Sequence, residues 1–279
     1  MTTSAEGLQY LRDLIRRRSA IVVEADKNYL VESRLSPLVR EHKLADIDEL
    51  LAQVRKAEHG PLCRKVVEAM TTNETSFFRD IHPWETLKNT ILPELIKTRQ
   101  ASRRLRIWCA AASTGQEPYT IAMVIREHFP DLASWDIQIL GTDLNATVLE
   151  RARAGVYKQL EVNRGLPAAM LIKYFERNGT EWAVTPDIKR MLAFQELNLL
   201  ERWSLFSMND VVFMRNVLIY FDTTVKRDIL GRVRDKLAPD GFLVLGGAET
   251  TLNLDEQYAP LRAGSTVIYQ PCGAQKKAV

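Results

Sequence analysis

The stretch RIWCAAASTGQEPYTIAM, residues 106–123, decides the fold of this 279-residue chain. An apolar run, Leu105 to Ala110, ends in the small side chains of residues 110–115, and a helical pattern follows from about Glu117 to Phe129. A buried strand, a small-residue loop and a helix are typical of one unit of a parallel α/β sheet. Ligands of such sheets bind at the carboxyl ends of the strands, so we expect this loop to border a binding site.

On the C-terminal side, further apolar strands alternate with helical segments, which indicates a parallel sheet covered on both faces. These strands are expected at residues 137–140, 210–214 and 241–247, and a last strand at 264–269 is expected to add an antiparallel edge. Residues from about 174 to 197 break the rhythm. Asn178-Gly179 is a hairpin signal flanked by short strand patterns, which predicts a small antiparallel insert that lies ahead of a sheet strand or merges into it.

On the N-terminal side, the pattern is helical up to about residue 80. A break is expected near Ser36-Pro37, and Asp46 begins a further helix with an acidic first turn. Gly60-Pro61 separates that helix from another, which runs to about Met70. We therefore predict a helical domain with a linker at 1–80 and an α/β domain at 81–279, with the insert at about 174–197.

Composition narrows the class of protein. The chain is 46% hydrophobic and 26% charged, as in ordinary soluble proteins, and its net charge of +3 is too small to indicate nucleic-acid binding. The most apolar stretch, residues 211–221, contains Arg215 and is too short to span a membrane, and no signal segment opens the chain. The three cysteines and four histidines are dispersed, which predicts no metal site and a cytoplasmic protein.

Polar residues at the expected strand ends suggest a ligand. Asp143 ends the second strand, where a carboxylate can bind two ribose hydroxyls, and Arg215-Asn216 ends a later strand. Gly115 is the sole glycine of the first loop, so the GxGxxG fingerprint of dinucleotide sites is absent. S-adenosylmethionine (SAM) has no phosphate and carries a positive sulfonium, which suits a site with Glu117 and Asp143. These residues alone leave a nucleotide site, a SAM site and plain packing open.

Several segments together resemble one family. In chain order they are TTNETSFFRD (71–80), RIWCAAASTGQEPYTIAM (106–123), GTDLN (141–145), LNLL (197–200) and FMRNVLIYFD (213–222). In this combination the chain is similar to the chemotaxis receptor glutamate methyltransferases (CheR-type). The resemblance implies a Rossmann-like SAM-dependent methyltransferase sheet with a small antiparallel β-subdomain, preceded by an all-α N-terminal domain.

The resemblance also implies an activity and a site. The expected reaction transfers the methyl group of SAM to glutamate side chains of chemoreceptors, leaving S-adenosylhomocysteine (SAH). Arg79 is expected to pair with the carboxylate of SAM, and Tyr220 to lie beside the reacting methyl group. The residues expected to bind SAM are Asn73, Thr75, Arg79, Glu117, Asp143, Asn198, Leu199, Arg215 and Asn216.

Each of these residues also has a structural interpretation. Asn73 and Asp143 could cap helices, and Glu117 could favour a helix N-terminus. Arg79 could form a surface ion pair with Asp80 or Glu85. Thr75 could be a turn residue, and Leu199 and Tyr220 could be packing residues.

The expected chemistry needs few catalytic groups. A glutamate with a pKa near 4.3 is more than ~99% ionised at pH 7, so the acceptor oxygen requires no general base. Alignment of the reactants in a partly dehydrated pocket can then supply most of the catalysis. Competing functions are a methyltransferase for RNA or a small molecule, and a SAM-binding regulator without turnover.

The expected partner is the cytoplasmic helical region of a chemoreceptor, bound by a monomer. Lys27, Arg34, Arg40, Lys43 and the Arg16–Arg18 run would complement an acidic helix surface. Some family members also tether themselves to a receptor pentapeptide through the β-subdomain. The hairpin at residues 177–182 is short and has one glycine, which favours a tether-independent enzyme.

Overall fold

The computed structural model describes residues 3–203 and 207–273. The chain divides into two compact units. The first, here called the helical unit, runs to Thr72 and also includes Asn198–Glu201 and Tyr220–Val225. The second, the sheet unit, contains the remaining residues from Asn73 onward.

The helical unit is built from amphipathic helices whose ends are set by capping residues. Asp46 accepts a hydrogen bond from the Glu49 N–H at 2.8 Å, and Pro61 occupies a first-turn position where its missing N–H costs nothing. The helices of this unit are α1 (Ala5–Ser19), α2 (Asn28–Glu41), α3 (Ile47–Lys56) and α4 (Pro61–Met70).

Helix α2 corrects one expectation. It continues through Pro37, where the sequence predicts a break. A proline within a helix removes one backbone hydrogen bond, whereas the buried side chains of Val31 and Leu35 hold this helix against its neighbours. Apolar burial therefore outweighs the local preference of proline.

The sheet unit alternates strands with helices. Its strands are β1 (Arg104–Ala110), β2 (Asp136–Asp143), β3 (Val156–Lys158), β4 (Phe175–Asn178), β5 (Glu181–Val184), β6 (Leu192–Glu196), β7 (Asn209–Met214), β8 (Leu237–Leu245), β9 (Tyr258–Ala263) and β10 (Thr266–Pro271). Its helices are α5 (His82–Thr86), α6 (Leu92–Arg99), α7 (Gln116–His128), α8 (Ala146–Ala154), α9 (Gln159–Asn163), α10 (Ala168–Tyr174), α11 (Pro186–Lys189) and α12 (Thr223–Arg234), whose first residues fall in the helical unit.

The main sheet has the strand order β6-β2-β1-β7-β8-β10-β9. Strands β6, β2, β1, β7 and β8 pair in parallel, and β10 pairs antiparallel with both β8 and β9. Strand β1 has β2 on one side and β7 on the other, so the strand order reverses beside it. The carboxyl ends of these three strands therefore meet at the position where open α/β sheets bind ligands.

The small antiparallel sheet, β3-β5-β4, differs from the predicted insert at both ends. The sheet already starts at Val156, with β3. The sequence did not predict this strand, because three residues are too few to show an alternating pattern. Strand β6, at Leu192–Glu196, pairs in parallel with β2 and so belongs to the main sheet. The last strand, β10, is internal, and β9 forms the sheet edge. The expected fold class is confirmed.

The core of the sheet unit joins both sheets. Phe77 and Tyr157 meet edge to face, with 4.9 Å between ring centroids, and Phe175 packs against Phe77 at 5.5 Å. All three side chains are buried. The segment that follows the helical unit is thus anchored by aromatic packing. No helix among the described residues is long and apolar enough to cross a bilayer.

Candidate active site

The loop after β1 turns sharply at the edge of the sheet. Ala111, Ser113 and Gly115 have φ of 57°, 51° and 94°, a left-handed conformation that small residues tolerate best. The Ser113 N–H donates to Asp143 Oδ2 at 2.9 Å, and the Ala112 N–H donates to the Thr142 carbonyl at 2.8 Å. These bonds hold the loop against the end of β2.

Asp143 is buried at the end of β2. Its Oδ1 accepts from the Asn145 N–H at 2.9 Å, in addition to the bond from Ser113. The capping role that the sequence left open for Asp143 belongs to Asn145, whose side chain accepts from the Val148 N–H at the start of α8. Two backbone N–H groups therefore fix the orientation of the Asp143 carboxylate, as a ligand-binding carboxylate requires.

A buried ion pair lies next to this edge. Arg215, at the end of β7, donates from Nη1 to Glu117 Oε2 at 2.9 Å, and its side chain is 2% exposed. Glu117 is in the first turn of α7, as the sequence suggested, and its side chain is 14% exposed. Burial raises the pKa of Glu117, and the positive charge of Arg215 opposes that rise.

Arg215 is held by the linker as well. Its Nη2 donates to Asp80 Oδ2 at 2.7 Å and to the Arg79 carbonyl at 3.0 Å. Its guanidinium carbon lies 5.4 Å from the centroid of the Trp84 ring, a cation–π contact. Arg215 Nε is buried with no hydrogen-bond partner among the described residues. The guanidinium of Arg215 is thus held in place by its other hydrogen bonds, while its Nε–H can still donate a hydrogen bond.

The linker residues lie along the same cluster. Ser113 Oγ donates to the Asn73 carbonyl at 2.8 Å, and Arg79 Nη1 donates to the Glu74 carbonyl at 2.9 Å. Asn73 lies between the end of α4 at Met70 and the start of α5 at His82, so it is not the N-cap residue of α5. Half-buried Thr75 lies in the same segment.

The ion pairs that the sequence left open for Arg79 belong to other residues. Asp80 pairs with Arg215, and Glu85 pairs with Lys88 at 2.9 Å. Asn216, next to Arg215, has a left-handed φ of 58°. Seven of the residues expected to bind SAM therefore belong to the sheet unit: Asn73, Thr75, Arg79, Glu117, Asp143, Arg215 and Asn216.

The other expected site residues belong to the helical unit. Asn198 Nδ2 donates to the Arg18 carbonyl at 2.8 Å, and Leu199 is buried. Tyr220 is half-buried, and its carbonyl accepts from the Val22 N–H at 3.1 Å. Their predicted contacts with SAM remain predictions.

The sequence does not reveal the roles of two acids. Asp80, a possible partner of Arg79 by its position in the sequence, binds Arg215 instead. The Glu249 carboxylate, which no sequence motif marks, accepts four backbone hydrogen bonds. Its only sequence signal is an acid shortly after Gly246-Gly247 at a strand end, and three of its four bonds span 30 or more residues.

Comparison with known families matches both parts of the chain. Residues 6–71 match the CheR methyltransferase all-alpha domain, and residues 73–267 match the CheR methyltransferase SAM binding domain. The chain belongs to the CheR methyltransferase family. It is therefore a methyltransferase whose cofactor is SAM.

Relatives align with this CheR-family chain over nearly its whole length. Chemotaxis protein methyltransferase 1 of Pseudomonas aeruginosa is 41% identical over 97% of this chain and 99% of its own. A chemotaxis protein methyltransferase of Pseudomonas putida is 39% identical with the same coverage. One of Vibrio parahaemolyticus is also 39% identical, over 97% of this chain and 99% of its own.

The residues of the site fit SAM chemically. Glu117, with 14% of its side chain exposed, is an anion that can receive an ammonium group, and Arg215 Nε is a buried donor without a partner among the described residues. Asp143 is a buried carboxylate at a strand end, where ribose hydroxyls bind in such folds. This CheR-family site thus offers one acid for the ammonium group, one acid for the ribose hydroxyls, and guanidinium donors for the carboxylate of the cofactor.

Proposed function

We propose that this protein transfers the methyl group of SAM to glutamate side chains of chemoreceptors, giving glutamate methyl esters and SAH. Chemotaxis protein methyltransferases aligning over 97% of the chain support this substrate class. SAM supplies an electrophilic methyl group on a positively charged sulfur.

The observation that carries the proposal is the buried pair of Glu117 and Arg215. It gives the site one fixed negative and one fixed positive group, which matches the zwitterionic amino-acid end of SAM. Arg79 would add a second guanidinium for the SAM carboxylate. Asp143 would hold the ribose hydroxyls, and Asn73, Thr75, Asn198, Leu199 and Asn216 would complete the cofactor contacts.

A carboxylate is the expected acceptor because, unlike a hydroxyl or an amine, it needs no general base to remove a proton. Cys109, on β1, is fully buried, and burial raises its pKa well above the usual range, so its thiol stays protonated at neutral pH. A glutamate acceptor is already ionised there. Tyr220 would orient that carboxylate by a hydrogen bond, and Arg79 with Tyr220 would bound the methyl pocket.

The receptor would be bound through basic residues of the helical unit. Arg40 and Lys43 are exposed, at the end of α2 and just beyond it. Arg34 differs, because it donates to the Met70 carbonyl at 2.7 Å and to Thr72 Oγ1 at 2.9 Å. Arg40 and Lys43 are therefore the better candidates for a receptor surface. We also propose that no pentapeptide tether is used, given the tight two-residue turn, Gly179 and Thr180, between β4 and β5.

One assay tests the reaction. The protein is incubated with methyl-labelled SAM and a chemoreceptor cytoplasmic fragment, and the product is treated with base. Glutamyl esters release labelled methanol, whereas methylated amines keep the label. Label that withstands base would indicate a different acceptor, and protein that binds SAH but transfers no label would be a regulator.

A further inference from the structure

The Glu249 carboxylate closes a ring of backbone donors at the carboxyl edge of the main sheet. Its Oε2 accepts from the Asn216 N–H and from the Gly246 N–H, each at 2.8 Å. Its Oε1 accepts from the Val217 N–H at 2.9 Å and from the Ile219 N–H at 3.3 Å. One side chain thus joins the loop after β8 to the loop after β7.

The loop after β7 depends on these bonds for its conformation. Asn216 has a φ of 58°, a left-handed conformation that asparagine tolerates better than most residues but that still costs energy relative to glycine. The N–H groups of Asn216, Val217 and Ile219 point to one carboxylate, which offsets that cost. The same loop begins with Arg215, the partner of Glu117.

Gly246 is required for this arrangement. A Cβ at this position would lie 2.7 Å from Glu249 Oε2 and 2.9 Å from the Asn216 nitrogen. A Cβ at the neighbouring Gly247 would meet nothing within 4 Å. The two glycines therefore make different demands on the chain.

We infer that Glu249 is a positioning residue of the SAM site, which holds the Arg215–Ile219 loop in its binding conformation. It acts through the backbone of the loop that begins with Arg215, since all four of its described bonds go to backbone N–H groups. A carboxylate is needed because both of its oxygens accept hydrogen bonds, whereas one end of an amide would turn an N–H₂ toward two donors. The inference deepens the proposed function and rests on the SAM-binding part of it.

The first test is Glu249→Gln in the full chain, with SAH affinity measured by calorimetry. We expect the Kd for SAH to rise at least 10-fold in protein with native circular dichroism, and Glu249→Asp to recover part of the affinity. Glu256→Gln, an exposed residue beyond the loop, is the matched control and should bind SAH like the wild type. Wild-type affinity in Glu249→Gln overturns the inference.

The second test keeps the charge and changes the space. Gly246→Ala should weaken SAH binding as Glu249→Gln does, while Gly247→Ala should leave the Kd unchanged. A loss of melting temperature with unaltered SAH affinity in Gly246→Ala would reduce Glu249 to a purely structural role and contradict the inference. SAH binding needs no receptor, so a wild-type protein that binds SAH without methylating receptors would refute the proposed function and leave this inference intact.

Discussion

At the scale of single residues, two opposing effects act on the pKa of Glu117. Burial raises its pKa, while Arg215 and the more distant Arg79 favour the ionised form. On acidification Glu117 takes up a proton at a higher pH than an ordinary glutamate, and its attraction for the ammonium group of SAM is then lost. The effect on folding stability has the opposite sign to the effect on binding. Protonated Glu117 stabilises the folded state at low pH, and this contribution is lost as pH rises through its pKa in the folded state.

This predicts a pH-dependent affinity. The Kd for SAH should increase as pH falls through the raised pKa of Glu117, and Glu117→Gln should bind at least 10-fold more weakly with a flatter profile. Calorimetric titrations at a series of pH values measure both effects. A Glu117→Gln protein with the same pH profile as the wild type would show that another group titrates.

Tyr220 permits a separation of binding from turnover. If its hydroxyl donates to the acceptor carboxylate, Tyr220→Phe removes one charge-assisted hydrogen bond, worth about 1.5 kcal/mol or roughly tenfold in rate. We expect kcat to fall by about that factor while the Kd for SAH is unchanged. Full turnover by Tyr220→Phe would exclude the proposed role.

At the scale of elements, Arg99 joins a helix to two strands. It lies at the end of α6 and donates to Asp210 on β7 at 2.7 Å and to Asp240 on β8 at 2.6 Å. The Arg99 side chain is 18% exposed and that of Asp210 is 11% exposed. Hydrogen bonding to Arg99 lowers the pKa of Asp240.

We predict that Arg99→Met lowers the free energy of unfolding by about 3 kcal/mol, because Asp210 would be left buried without its cation. Activity per folded molecule should persist, since these strand ends lie opposite the SAM site. Urea denaturation gives the free energy. Lys97→Met is the control, because the Lys97 side chain is 74% exposed and its ion pair with Glu94 contributes little. Equal stability of the two variants would contradict the prediction.

The elements also show what a sequence can reveal. Strands β1, β2 and β7 were predictable because each contains a short, mainly apolar stretch that is followed by small or polar residues. Strand β3 was not, because three residues carry no period. The acids Glu117 and Asp143 stand beside recognisable strand ends. Glu249 does not reveal its role, because its partners come from a loop some 30 residues earlier in the chain.

At the scale of the whole molecule, receptor recognition should be electrostatic. We predict that Arg40→Glu with Lys43→Glu slows receptor methylation several-fold at low salt, that the difference shrinks at high salt, and that SAH affinity is unchanged. Initial rates at two ionic strengths measure this. Rates equal to wild type at low salt would place the receptor surface elsewhere.

The helical unit is discontinuous in sequence: Asn198–Glu201 and Tyr220–Val225 belong to it together with the N-terminal residues. Asn198 bonds to the Arg18 carbonyl, and Arg16 pairs with Asp222 at 3.0 Å. A chimera that borrows only the first 72 residues from a relative would separate these partners. With receptor binding by the helical unit, as proposed above, exchanging receptor preference between family members would require that both later segments be transplanted with the helices.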